Sequence, residues 1–187
     1  MKRFTAILTA FLCIFGVLSM SPKASKAAAD PENTLFIDLK DNCRVTIDLL
    51  PELAPNHVKR IKELVRQKFY DGVVFHRVIE GFMAQTGDPT GTGTGGSGQK
   101  LKAEFSSEPH RRGTVSMART GDINGADSQW FIVLADSTYL DGQYTVWGRV
   151  SSGMACVDKI KKGNKFDNGS VSDPDKIVKA QIAADVK

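Results

Sequence analysis

Cysteine is scarce in this chain, three among 187 residues, which excludes a small domain held together by a disulfide framework. Seventeen glycines and seven prolines are too few for a collagenous or low-complexity chain. Beyond the first 29 residues there is no apolar run near the roughly 17–25 residues that a membrane-spanning helix needs. Nor is there an excess of charge of either sign: the net +4 is carried by Lys2, Arg3, Lys23 and Lys26, and 25 basic residues less these four leave 21 against 21 acidic ones. A balanced remainder has no basic stripe to neutralise phosphates, so no nucleic-acid partner is expected. What is present, 41% hydrophobic and 25% charged residues with no internal repeat or linker, is the composition of one ordinary globular domain.

The front of the chain has its own logic. Lys2 and Arg3 precede an uncharged stretch from Phe4 to Met20, and a polar segment then ends in Ala27, Ala28 and Ala29. A basic start, an apolar middle and small residues at the −3 and −1 positions make an export signal. The organisation expected is a cleaved signal over 1–29 and a single domain over 30–187, placed in the periplasm. Secretion is one alternative, and a membrane anchor is the other if the signal is not cleaved, since its apolar run is just long enough to span. Cleavage removes Cys13 and leaves Cys43 and Cys156, which either form one disulfide in an oxidising compartment or stay free as small buried hydrophobes.

Leu35 to Leu39 and Val45 to Leu49 alternate apolar and polar residues around Asp41-Asn42, the pattern of a two-stranded hairpin. Pro55 opens a segment with Val58, Ile61, Leu64 and Val65 at helical spacing, closing before Asp71-Gly72, which predicts one amphipathic helix of about three turns. Short apolar runs follow at Val73–Ile79, Phe82–Gln85, Thr114–Ala118, Gln129–Leu134 and Thr145–Val150, with a second short helix over Met154–Lys161 and a last strand over Lys176–Ile182. Short strands spaced by glycine-rich turns predict an all-β sandwich or barrel.

Several motifs fail on context. Gly91, Gly93 and Gly96 spell the dinucleotide fingerprint, but Asp88-Pro89 precedes them and no helix follows, so a tightly turned Gly/Thr loop is expected instead. His57, His76 and His110 are scattered without ligand spacing, so no metal site is expected. Ser97 lacks the outer glycines of a nucleophile elbow. Asn168-Gly169-Ser170 is a glycosylation sequon, a string short enough to arise by chance.

The informative segment runs from Phe75-His76-Arg77-Val78-Ile79 through Phe82-Met83-Ala84-Gln85 to Asp88. In a strand over 73–79, Phe75, Arg77 and Ile79 share one face, which sets a charge among apolar neighbours. An isolated strand arginine of this kind is ordinarily a snorkelling side chain or a structural ion pair. A second run, Ser116-Met117-Ala118-Arg119-Thr120 followed by Ser128-Gln129-Trp130-Phe131-Ile132, gives it company. Together the two runs resemble the signature segments of the cyclophilins, the peptidyl-prolyl cis-trans isomerases inhibited in many members by cyclosporin. The resemblance extends over almost all of 30–187: Tyr70-Asp71-Gly72, Asp88-Pro89-Thr90-Gly91-Thr92-Gly93, Ala103-Glu104-Phe105, Leu140-Asp141-Gly142 and Val146-Trp147-Gly148 fall in family order. The wording Met117-Ala118-Arg119-Thr120 is similar to that of bacterial members.

The resemblance implies a mainly β fold, a closed eight-stranded antiparallel barrel capped by two helices, with the site on its outer surface. It implies Arg77 as the catalytic arginine, with Gln85 and Phe82 beside it in the catalytic set. Phe82, Met83, Phe131 and Leu140 would form the proline pocket, Gln85 the contact to the substrate backbone, and Ala118 and Arg119 the contact to the residues before proline. Tyr139 stands where cyclosporin-sensitive members have Trp, and Tyr144 where many eukaryotic members have His, so weakened cyclosporin binding is expected. The expected activity is isomerisation of X-Pro bonds in exported polypeptides by a monomer without cofactor or metal. A non-catalytic chaperone that binds proline-containing segments through the same groove is the alternative.

Overall fold

The computed structural model describes residues 30–186, so the export signal expected over 1–29 lies outside the described residues. The chain opens with the hairpin of β1 (Thr34–Leu39) and β2 (Cys43–Leu49). Asp41 and Asn42 turn it with φ of 58° and 55°. Asn and Asp tolerate that left-handed conformation better than other side chains, and it matches the twist of the flanking strands. Helix α1 (Pro55–Arg66) follows, burying Val58, Ile61, Leu64 and Val65. Pro55 has no N–H to leave unpaired, and Ala54 cannot cap. The free donors of Asn56 and His57 are instead taken by the Glu104 carboxylate at 3.1 and 3.0 Å, an anion set against the positive end of the helix.

The remaining strands are β3 (Arg77–Ile79), β4 (Met83–Thr86), β5 (Thr114–Met117), β6 (Trp130–Val133), β7 (Val146–Ser152) and β8 (Lys179–Ile182), with the short helix α2 (Met154–Asp158) between the last two. All eight strands pair antiparallel in one curled sheet ordered β3-β4-β6-β5-β7-β2-β1-β8. Inside the curl Leu35, Ile37, Val45, Ile47, Val115 and Ile132 pack against α1 and around Trp130 and Trp147, whose rings meet edge to face at 5.6 Å. Among the described residues no helix is long and apolar enough to cross a membrane.

Three expectations are altered or decided. The barrel does not close through a regular ladder: β3 and β8 are the edges of the sheet. The outer edge of β3 is occupied by the loop over 163–171, through Val78 N–H to Gly169 O at 2.8 Å and Gly163 N–H to Val78 O at 2.8 Å. Only the approach to β3 reaches the approach to β8, by hydrogen bonds from Gly72 to Ile177, Ile177 to Val73 and Phe75 to Asp175. The second concerns Phe75, which does not share the face of Arg77. Pairing along that seam turns the chain before β3 begins, so Phe75 is sealed in the main core. Finally, Cys43 and Cys156 form a disulfide across Cα atoms 5.6 Å apart, tying the start of β2 to α2 and closing a loop of 113 residues.

Candidate active site

Period-two alternation gives β4 and β6 two different faces. Ala84 and Thr86, with Trp130 and Ile132, point into the barrel; Met83 and Gln85, with Phe131 and Val133, point out. Register then does the rest. Arg77 of β3 pairs with Gln85 of β4, which pairs with Phe131 of β6, which pairs with Ser116 of β5. One row across four strands therefore sets a guanidinium, an amide and a phenyl ring side by side. The next row, Ile79, Met83 and Val133, is apolar throughout.

Arg77, Phe82, Met83, Gln85, Ala118, Arg119, Phe131, Leu140 and Tyr144 line one cavity of about 120 Å³. Nine of the ten residues singled out in the sequence thus meet at one place. The tenth, Tyr139, is 64% exposed and stands at the rim, its ring 5.8 Å from that of Phe82. Met83, Phe131 and Leu140 form the buried floor together with Val133, and Phe82, Ala118 and Tyr144 pack around it partly covered. A larger hollow of about 370 Å³ adjoins, sharing Gln85, Ala118 and Arg119 and continuing along the Gly93–Gly96 loop.

The guanidinium of Arg77 is half-buried, and among the described residues no carboxylate lies within ion-pairing distance of it. Burial lowers its pKa from the ordinary arginine value, but arginine starts so high that it remains charged at any physiological pH. Its partners are neutral: Gln85 Oε1 accepts from Nη1 at 3.1 Å, Asn168 O from Nε at 2.9 Å and Asn168 Oδ1 from Nη2 at 2.9 Å. Gln85 is oriented in turn, since its Nε2 donates to Gln129 Oε1 at 2.9 Å, and Gln129 donates to the carbonyls of Gly93 and Gly95 at 3.0 and 2.8 Å. On the other flank the Arg119 guanidinium lies over the Tyr144 ring at 4.7 Å, and Tyr144 meets Phe131 edge to face at 6.0 Å.

Two of these supports escaped the sequence reading. His110 is fully buried behind Phe131, stacked at 6.3 Å, with Nδ1 at 2.9 Å from Asp141 Oδ1 and Nε2 at 3.0 Å from Ser116 Oγ. Asn168 reaches Arg77 from 91 residues away. No local pattern joins either to the site, whereas the row formed by Arg77, Gln85 and Phe131 had its signal in the two resembling runs. The Gly/Thr loop is tightly turned because it wraps an internal anion: Asp88 accepts from the N–H groups of Thr90, Gly93 and Gly95 at 2.7, 2.6 and 3.1 Å. Burial alone would raise the Asp88 carboxyl, but hydrogen bonds from Thr90, Gly95 and Gly93 outweigh it and hold it at about 2. The donors that a phosphate would need are already spent. Among the described residues no three His, Cys, Asp or Glu are grouped to hold a metal ion.

Comparison with known proteins agrees with this geometry. Residues 35–182 match the family model for cyclophilin type peptidyl-prolyl cis-trans isomerases. A probable peptidyl-prolyl cis-trans isomerase of Brucella suis is 54% identical over 185 residues, covering 92% of this chain and 94% of that one. Among solved structures, cyclophilin AquaCyp293 from Hirschia baltica superposes with a TM-score of 0.75 at 29% identity, covering 85% of this chain and 77% of its own. A cyclophilin type isomerase of Cryptosporidium parvum, solved in the presence of the dipeptide Ala-Pro, superposes with a TM-score of 0.72 at 27% identity, covering 80% and 98%. With four-fifths of its length matched by the family model and a near full-length relative at this identity, the chain belongs to the cyclophilin-type peptidyl-prolyl cis-trans isomerases.

Proposed function

We propose that this isomerase acts on X-Pro bonds of exported polypeptides while they fold, with Arg77 as the group that stabilises the twisted bond. The observation that carries the reading is the row itself: a half-buried guanidinium with no carboxylate partner among the described residues, beside an apolar notch, with an oriented amide between them. An X-Pro bond is held planar by resonance, with a barrier of about 18–20 kcal/mol. Passing it breaks no bond. In the twisted state the prolyl nitrogen pyramidalises and regains its lone pair, so a donor aimed there stabilises the transition state more than either planar ground state.

A hydrogen bond from a charged donor contributes about 1.5–3 kcal/mol, which at about 1.36 kcal/mol per decade is roughly ten- to two-hundredfold. The rest is assigned to holding the proline ring on Phe82, Met83, Phe131 and Leu140 while Gln85 fixes the neighbouring backbone. Leaving water also weakens the resonance form of the carbonyl. The residues before proline would pass Ala118 and Arg119 toward the larger hollow, and Tyr144 closes the opposite wall. The seam between 72–75 and 175–177 serves, on this reading, as the closure of the barrel, and the protein works as a monomer. Export is supported by the Cys43–Cys156 disulfide, a bond that persists in an oxidising compartment such as the periplasm, and by the signal-like residues 1–29.

The test is cis-to-trans conversion of a short X-Pro peptide by the wild type and Arg77→Ala. The substitution is expected to slow turnover roughly ten- to two-hundredfold with circular dichroism and unfolding midpoint preserved. Equal rates in the two proteins would remove Arg77 from the mechanism.

A further inference from the structure

We infer that Asn168 is a positioning residue for the reaction: it sets the direction in which the Arg77 guanidinium presents its free N–H groups. The inference rests on the reading of Arg77 as the donor to the prolyl nitrogen. A guanidinium is a planar fork of five N–H groups. Asn168 occupies two of them with one residue, its backbone oxygen on Nε–H and its side-chain Oδ1 on Nη2–H, both at 2.9 Å. Gln85 Oε1 occupies a third on Nη1 at 3.1 Å. Of the remaining two, the second N–H of Nη1 meets only a weak thioether acceptor, Met83 Sδ at 4.0 Å, and the second N–H of Nη2 has no partner among the described residues. The plane cannot rotate about Nε–Cζ or Cδ–Nε without breaking the pair of bonds to Asn168, so those two remaining groups have a fixed bearing.

The residue type suits the place. Asn168 has φ of 47°, a conformation that asparagine tolerates and most side chains do not, and the turn needs it to bring backbone and side-chain oxygens to the same edge of the fork. Both acceptors are neutral, so they hold the guanidinium while leaving its charge uncompensated. The loop that carries Asn168 is zipped to the strand that carries Arg77, through Val78 to Gly169 and Gly163 to Val78. It is closed on itself by Gly169 N–H to Asn164 O and Asn164 N–H to Ser170 O, both at 2.9 Å. Gly169 has φ of 80°, and a Cβ there would lie 2.4 Å from Ile79 Cγ1, so a larger residue would lift the loop from β3. Asparagine and glycine of the sequon Asn168-Gly169-Ser170 thus have reasons to be there that involve no sugar.

Asn168→Gly removes the side-chain acceptor and accepts the positive φ without strain, so the fold is expected to survive. Turnover on an X-Pro peptide should fall about five- to tenfold, less than the roughly ten- to two-hundredfold of a charged hydrogen bond lost outright, because the backbone oxygen of residue 168 still holds Nε–H. The dissociation constant for the same peptide, read from chemical-shift titration, should stay within about twofold, because the apolar notch is untouched. In side-chain nitrogen NMR, the restricted rotation of the Arg77 Nη2 group should be lost. The double variant Arg77→Ala/Asn168→Gly should be no slower than Arg77→Ala, since Asn168 acts through Arg77. Wild-type turnover in Asn168→Gly alongside a slow Arg77→Ala overturns the positioning role alone. So does a double variant slowed further by the full single-variant factor. Wild-type turnover in Arg77→Ala instead overturns the donor reading, and the positioning role with it.

Discussion

Strands β4 and β6 carry two apolar layers on opposite faces, and the layers are finished to different degrees. The inner one, with Ala84, Trp130 and Ile132 against Val115, Trp147 and helix α1, is sealed on all sides. The outer one is a small floor of Met83, Phe131, Val133 and Leu140 whose surroundings, Ile79, Phe82, Ala118 and Tyr144, remain partly open, and it is interleaved with Arg77 and Gln85. Burial stabilises by roughly 25 cal/mol per Å², so the inner layer has collected nearly all it can. The outer layer has area left to cover, and a ligand that completes it gains what folding did not. One alternating strand pattern thus supplies both a scaffold and a binding surface. Changes on the inner side should move stability while leaving turnover per folded molecule alone, and changes on the outer side should do the reverse.

The largest effect expected is on the scaffold. Replacing Cys43 and Cys156 by Ser frees a loop of 113 residues in the unfolded chain, which by loop entropy costs about 5 kcal/mol. Guanidinium unfolding would read the loss, and the peptide assay on the folded fraction should return the wild-type rate. A fall in turnover as steep as the fall in stability would break the separation of scaffold from surface. Next in size is a pair of neighbours on one strand. Ile132→Ala opens a cavity in the sealed layer and is expected to cost about 3 kcal/mol, again with turnover intact. Phe131→Ala, one residue away on the other face, should cost less stability, because solvent can enter the space it leaves, and should lower turnover at least about tenfold if the notch it helps to line holds the proline ring as proposed.

How much of this was written locally can be judged residue by residue. Asp41-Asn42 announced the hairpin because the turn chemistry lies in two adjacent side chains, and α1 announced itself because Val58, Ile61, Leu64 and Val65 repeat at helical spacing. The row Arg77, Gln85 and Phe131 was legible through the two resembling runs, and strand register then gives it a physical cause. Phe75 was misjudged because alternation holds only while a strand lasts, and the seam with 175–177 turns the chain just before β3. His110 and Asn168 were missed for a related reason. Their contribution is a contact to a residue far along the chain, and neither periodicity nor propensity encodes that. The capping of α1 by Glu104 belongs to the same class. Local rules assign elements and faces; the supports behind a site come from closure of the whole sheet.

The smallest effect expected lies at the rim of the outer layer and sharpens the comparison most finely, because it concerns affinity alone. Tyr139 stands 64% exposed with its ring against Phe82 and outside the row that holds Arg77. A tyrosine there offers a phenol, whereas an indole would offer an N–H donor on a wider apolar face. Tyr139→Trp is therefore expected to tighten cyclosporin binding about five- to tenfold, the equivalent of one hydrogen bond and some added contact. Turnover of a short peptide should change less than about twofold, since the substituted ring touches neither the guanidinium nor the floor of the notch. Calorimetric titration with cyclosporin beside the peptide assay distinguishes the cases. If affinity and turnover rise together, the rim belongs to the catalytic surface. If affinity alone rises, an inhibitor can cover area at the edge of the site that the reaction does not use.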